Sequence, residues 1–231
     1  MSNDVLAELD ARLKQQGHDF WGWVLYRCTY TSDSEWLVFT DKLESMSRWA
    51  LADYAATDEM FRQHVWTFVE DRERLENASK SDVRRIFNEW VNGPEAAAEQ
   101  PNARVSPPEN CMARYNYCIH VDEASLRSVL DGNKSDNSNE QHLNLIDRPW
   151  VPEEEEPDDG DPYDDFVEEL TEEQRENQRL AALWPEVEGC TEEDIGWCKV
   201  VPCGVVVDRY LTLCDQSSWW MWYTRPPKLA R

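Results

Sequence analysis

WGWVLYRCTY, residues 21–30, is the longest apolar and aromatic run in the first two thirds of the chain. Its β-branched and aromatic residues, bounded by turn formers on both sides, predict a buried central strand over residues 22–30. Arg27 is the exception within it, because a guanidinium in an apolar strand must find a partner. Glu70 or Asp71, at the end of the next strand, are the expected counter-ions.

Upstream, Val5, Leu6, Leu9 and Leu13 recur at helical spacing and predict a short amphipathic helix over 4–16, stopped at Gly17. Downstream, Ser32 followed by Glu35 is a capping signature. It opens a helix over 34–54 that carries Trp36, Leu37, Phe39, Leu43, Met46, Trp49 and Leu51. HVWTFV, residues 64–69, reads as a second strand. A second capping pair, Ser79 with Asp82, starts a helix at 82–92 with Val83, Ile86, Phe87 and Trp90 on one face. Pro, Ala, Asn and Glu then dominate to Asn110, which predicts a loop.

Tyr115, Tyr117, Ile119 and Val121 alternate with Asn116, Cys118 and His120, giving a third strand over 115–121. Asp122 caps a short helix through Leu126, Val129 and Leu130. The polar tract DGNKSDNSNEQ leads to a fourth strand over 142–147. Two β-α-β units imply an α+β fold, specifically a ferredoxin-like split β-α-β sandwich with a four-stranded antiparallel sheet and strands 1 and 3 central. The helix inserted between strands 2 and 3 leaves a doubly wound sheet as the competing arrangement.

The C-terminal third has a different composition. Residues 153–194 hold 19 acidic and 2 basic residues, a net of −17 out of −24 for the chain, so the remainder carries only −7. The expected organisation is an N-terminal helix (1–18), an α+β core (19–150), an acidic linker (151–165) and an extension (166–231). In the extension, Thr171 and Gln174 cap an acidic helix with Phe166, Leu170, Leu180, Leu183 and Trp184. KVVPCGVVVDRYLTL and WWMWYT, in the same region, read as strands, with Pro202 favouring a sheet edge.

This charge disfavours nucleic acid, whose binding rests on cations that displace counterions. The odd number of cysteines, seven with no CxxC pair, and an acidic N-terminus without an apolar core point to a reducing, cytoplasmic location, the nucleus remaining open. No run reaches the 18–20 apolar residues of a membrane span. The spacing of the late cysteines and the distance of His18, His64, His120 and His142 from them give no metal site, and no cofactor motif is present.

Three segments, GWVLYRCTY, FVEDRERLENASKSDVRRIFNEWV and RYNYCIHVDEASLRSVL, resemble an uncharacterised family of intracellular proteins of filamentous ascomycete fungi. The likeness covers roughly residues 19–150. It implies a fungal source and carries over no catalytic residue.

The predicted topology gathers Arg27, Thr29, Glu70, Asp71, Arg72, Arg114 and His142 at one rim of the sheet, with His120 at the other. Such a rim could hold a carboxylate or move a proton, although charges at strand ends commonly form structural ion pairs. The aromatics Trp23, Trp66, Tyr115 and Tyr117 could line a pocket for an apolar metabolite, with Arg27 at its polar end. RYNYCIHV faintly resembles an RNA-stacking strand, but a basic surface is missing. There is no GxSxG elbow. With no complete reactive constellation, the leading expectation is a non-enzymatic interaction or regulatory protein that binds a protein partner or itself. A small-molecule-binding protein or enzyme is the alternative. WWMWYTRPP either packs onto the domain or marks an interface.

Overall fold

The computed structural model of the chain describes residues 2–132, 141–151 and 184–230. The chain forms two compact units: residues 1–149 with 196–231, and residues 150–195. In the small unit, Val187 and Cys190 pair across a tight turn in which Glu188 and Gly189 both have positive φ. There, Trp150 Nε1 donates to the Asp194 carbonyl at 3.2 Å. The expected helix containing Phe166, Leu170, Leu180 and Leu183 lies outside the described residues.

The large unit is α+β, built on a mixed sheet of six strands: β1 (Val24–Arg27), β2 (Thr67–Val69), β3 (Tyr117–Val121), β4 (Leu143–Asp147), β5 (Trp197–Val200) and β6 (Leu229–Ala230). Their order is β2-β1-β3-β4-β5-β6. Strands β2, β1 and β3 are mutually parallel, β4 is antiparallel to both its neighbours, and β5 pairs in parallel with β6.

The four-stranded antiparallel sheet is thereby corrected. β1 and β3 are neighbours as expected, but they run the same way, and β2 lies beside β1. The cause is the long connection after β2. It carries α4 (Arg72–Leu75), α5 (Lys80–Val91), α6 (Pro94–Glu99) and α7 (Ala113–Asn116), so the chain crosses the sheet and re-enters from its original end. The stretch 94–99 is helical because Gly93 and Pro94 start it and alanines continue it.

α2 (Asp33–Asp53), α8 (Glu123–Asp131) and the 205–213 segment pack on one face of the sheet, and α5 on the other. Every residue of β1, β3 and β4 is buried, as expected of central strands covered on both sides. Burial of a whole Leu, Ile or Phe side chain is worth about 1.5–3 kcal/mol, so Leu25, Ile119 and Phe87 at the sheet centre are strong fixed points. The Ser32 hydroxyl accepts from the Glu35 N–H at 3.2 Å and starts α2. Ser79 and Asp82 form a reciprocal capping box on α5. α1 (Ser2–Gln16) inserts Leu9 and Leu13 into the core. No described helix is long and apolar enough to cross a membrane.

Of the two strands expected in the C-terminal region, the first holds at Lys199 and Val200, within β5, and the rest is overturned. After β5, the Pro202–Gly204 turn redirects the chain, and Val205–Arg209 form a π-helical turn continuing into α9 (Tyr210–Leu213). Val205, Val206 and Val207 are all buried there, so packing has overridden their strand preference. Residues 219–222 are likewise helical, forming α10 (Trp219–Trp222).

Candidate functional site

From β1 the chain leaves toward β2, and from β3 toward β4, so the carboxyl ends of β1 and β3 part at the middle of the sheet. In open α/β sheets such a crevice is the usual place for a ligand. The starts of α2 and α8 meet over it. Thr29 and Thr31 hydroxyls donate to Glu123 Oε2 at 2.6 and 2.8 Å, and Arg127 Nε donates to Glu123 Oε1 at 2.6 Å. Arg127 then reaches across to both oxygens of Glu35, with Nη2 to Oε2 at 2.6 Å, which ties α8 to α2. The Thr29 hydrogen bond, opposed by burial and reinforced by Thr31 and Arg127, holds the Glu123 carboxyl below its ordinary range.

Arg27 is buried beside this clamp and is engaged at each nitrogen. Nε donates to the Thr29 carbonyl at 2.9 Å, Nη1 to Glu70 at 2.9 Å and Nη2 to Asp33 at 2.5 Å. The Tyr30 and Trp36 rings lie 4.3 and 4.9 Å from the guanidinium carbon. Of the two carboxylates expected to meet Arg27, Glu70 does so. Asp71 instead caps α4 by accepting from the Arg74 N–H at 3.3 Å.

Across the crevice, His120 Nε2 lies 2.9 Å from the Ala78 carbonyl, so this nitrogen carries the proton, and Nδ1 faces the Asn144 amide nitrogen at 3.3 Å. Asn144 also donates to Asp122 at 3.1 Å, and Lys80 stands 3.6 Å from the same carboxylate. Burial pushes the Asp122 carboxyl up. The Ser125 N–H and hydroxyl, with His120 and Lys80, outweigh that and hold it low.

The parallel topology also changes which residues share the rim. His120 joins His142 at the Arg27 end, because β3 runs with β1 and the antiparallel β4 starts beside the carboxyl end of β3. Arg114 precedes β3 and lies at the other end. It is buried and forms a bidentate pair with Glu99, both contacts 2.8 Å, and also donates to Thr67 Oγ1 at 2.8 Å. The aromatic candidates are distributed through the core. Trp23 donates to the Val205 carbonyl at 3.1 Å and meets Tyr210 edge-on, and Tyr117 stacks on Trp219. Tyr115 stacks on Trp90, and Trp66 Nε1 donates to Ser47 at 2.8 Å. Of these four, only Trp66 lines either of two surface clefts, of about 370 and 590 Å³.

No family model, curated protein or solved structure matches the chain. Its chemistry is therefore read from its own geometry. At the crevice, carboxylates are held ionised, Arg27 is engaged throughout and both nitrogens of His120 face partners. The network joins β1, β3, α2, α5 and α8. Sequence reasoning missed Glu123, Arg127, Glu35, Asp122, Asn144 and Lys80, which converge only once β1 and β3 are set parallel. The two capping signatures at Ser32 and Asp122 were the available signal, since both helix starts must then face one end of the sheet.

A second feature lies on the C-terminal segment. Trp219 is buried and stacks on Tyr117 at 5.5 Å, which anchors α10. The next three residues face outward, with Trp220 74%, Met221 54% and Trp222 37% exposed. The Arg209 guanidinium lies 3.5 Å from the Trp222 ring centre and fixes that ring.

Proposed function

We propose that this chain is a non-enzymatic interaction protein that docks a basic polypeptide through Trp220, Met221 and Trp222. The observation that carries the reading is the outward Trp-Met-Trp run on an element locked by a buried tryptophan. Trp, Met and Arg are enriched at interface centres, and a held aromatic loses little freedom on binding. With 150–250 Å² per aromatic ring at about 25 cal/mol per Å², burying the exposed parts of both tryptophans supplies roughly 5 kcal/mol before association costs. Charge selects the partner's sign. A chain of net charge −24 steers cations toward it and repels phosphate backbones. The closed network at the sheet crevice supports a structural role for Arg27 and Glu70, as the α4 cap does for Asp71. Seven cysteines outside any disulfide, four of them buried, support a reducing intracellular setting.

The test uses the full chain and two fluorescent helical peptides, one of Leu and Lys and one of Leu and Glu. The Lys peptide should bind saturably, weaken steeply with salt and lose at least tenfold in affinity when Trp220→Ala and Trp222→Ala are combined. Equal binding of the Glu peptide, or an unchanged affinity in the double variant, overturns the proposal. Light scattering on the same samples checks self-association. A dimer lost in the double variant would assign the surface to a second copy and not to a basic partner.

A further inference from the structure

At the junction of α3 (Asp58–Gln63) and β2, three consecutive residues carry polar groups without partners. Arg62 is exposed and makes no ion pair or hydrogen bond among the described residues, whereas Arg48, Arg72, Arg85 and Arg127 are each held by a carboxylate. Gln63 Oε1 is buried with no donor, and His64 Nε2 is buried with no partner. A buried polar group left unpaired costs about 1–3 kcal/mol, and folded proteins carry few of them. Those of Gln63 and His64 belong to residues that line surface clefts beside an unpaired cation.

These three residues line the two clefts, which share Arg62. The larger, about 590 Å³, is lined by charged and polar groups that include Gln63. The smaller, about 370 Å³, runs between the second half of α2 and the segment entering β2, and its volume falls within the ordinary range for small-molecule sites. Its walls include Leu51, Phe61, Val65 and Trp66, with His64 beside them. Glu44 and Arg48 at its edge bond each other at 3.0 Å, which leaves Arg62 as the uncompensated charge.

We infer that the cleft between α2, α3 and β2 binds a small monocarboxylate with an apolar, aryl or branched-alkyl body. The body lies on Leu51, Phe61, Val65 and Trp66, and the carboxylate meets the Arg62 guanidinium, whose planar fork suits it. A single cation over an apolar wall selects a monoanion against phosphate, whose second charge would stand uncompensated beside Glu44. Burial lowers the His64 imidazole to about 4, so at neutral pH it adds no second cation beside Arg62. This inference is independent of the Trp220–Trp222 surface, and neither result bears on the other.

Calorimetric titration of the full chain with 3-phenylpropionate, 4-methylpentanoate and 3-phenylpropionamide tests it. Saturable binding of at least one carboxylate below about 1 mM is expected, with the amide at least tenfold weaker. Arg62→Gln, on an exposed side chain with no partner to lose, should fold normally and weaken the carboxylate at least tenfold, while Arg72→Gln leaves it unchanged. Absence of saturable binding by both acids up to about 10 mM overturns the inference, as does equal affinity for the amide or for the Arg62→Gln variant.

Discussion

His18 provides the sharpest test of how this core is built. Its ring is buried between two amides whose orientations are fixed elsewhere. Gln100 Oε1 accepts from the Asp19 N–H at 2.8 Å and its Nε2 donates to the Phe20 carbonyl at 2.8 Å, so the amide nitrogen faces Nδ1 at 3.2 Å. Asn110 Oδ1 accepts from the Met112 N–H at 2.9 Å and its Nδ2 donates to the Val105 carbonyl at 3.1 Å, so that nitrogen faces Nε2 at 3.0 Å. A neutral imidazole can accept one hydrogen bond, and an imidazolium none. Protonation would therefore set two N–H groups against two amide donors in a desolvated site. Burial, joined by the charge of Arg114, accordingly draws the His18 pKa from 6.5 down to about 4.

Because the folded pKa lies below the unfolded one, the unfolded chain binds the proton first. The stability contributed by neutral His18 is complete above pH 6.5 and is lost as pH falls toward 4. Between about pH 7.5 and about pH 5 the loss from this residue is about 2 kcal/mol. His64 and His142, also drawn down to about 4 by burial, add to it. Urea unfolding at the two pH values should show a pH-dependent loss that is about 2 kcal/mol smaller in His18→Gln than in the parent. Carboxylate contributions cancel in that difference. If His18→Gln keeps the parent's full pH dependence, the ring is not held neutral by its amides and the reasoning fails.

Two further perturbations probe the sheet and the core. Gly22 has φ +122° at the entry to β1, and a Cβ there would lie 2.2 Å from the Val65 carbonyl oxygen, so Gly22→Ala must push the β2 entry away. A loss of about 3 kcal/mol, or a Tm lower by about 6–12 °C, is expected by calorimetry, and a Tm within about 2 °C of the parent would refute the close approach. Burial pushes the Cys28 and Cys214 thiols up to about 12, and Cys118 and Cys198 are buried with them. A thiol-disulfide reagent at mildly alkaline pH should therefore react fast with no more than the three partly exposed cysteines, Cys111, Cys190 and Cys203, before all seven respond in denaturant. Four or more fast thiols in the native protein would contradict the packing.

Features fixed by neighbouring residues were the legible ones. The caps at Ser32, Ser79 and Asp122 each formed, because a hydroxyl or carboxylate three residues from a free N–H finds it without help from the rest of the chain. The same pattern rule overreached within α2. Trp36, Phe39 and Leu43 are buried, yet Leu37 and Trp49 point to solvent, since a helix packed along one face has room for only one stripe. Strand direction was not local. The sense of β3 depends on whether residues 70–116 turn back or cross over, and that is decided by where α5 finds apolar sheet to cover. Its Phe87 meets Tyr26 of β1, and Arg84 bonds the carbonyls of Asp147 and Gly196 at 2.9 and 2.7 Å.

The direction of β3 in turn decides the chemistry of the crevice. Antiparallel pairing with β1 would have moved His120 and Asp122 to the far end and left Arg27 beside Arg114. Parallel pairing sets two helix starts, α2 and α8, over one end of the sheet, where their exposed N–H groups and positive ends favour carboxylates. Asp33, Glu35, Asp122 and Glu123 occupy those positions, and Arg27, Arg127 and Lys80 neutralise them from within the same network. An end of the sheet that other α/β proteins leave open for an anion is filled here by the chain's own carboxylates. Buried polar atoms without a partner remain at Tyr30 and Trp36 beside Arg27, and at Gln63 and His64 on the flank beside the edge strand β2. Replacing Glu123 by Gln should therefore weaken its bonds to Arg127 and Thr29 and loosen the α2–α8 contact, which a lower urea midpoint would show and an unchanged one would refute.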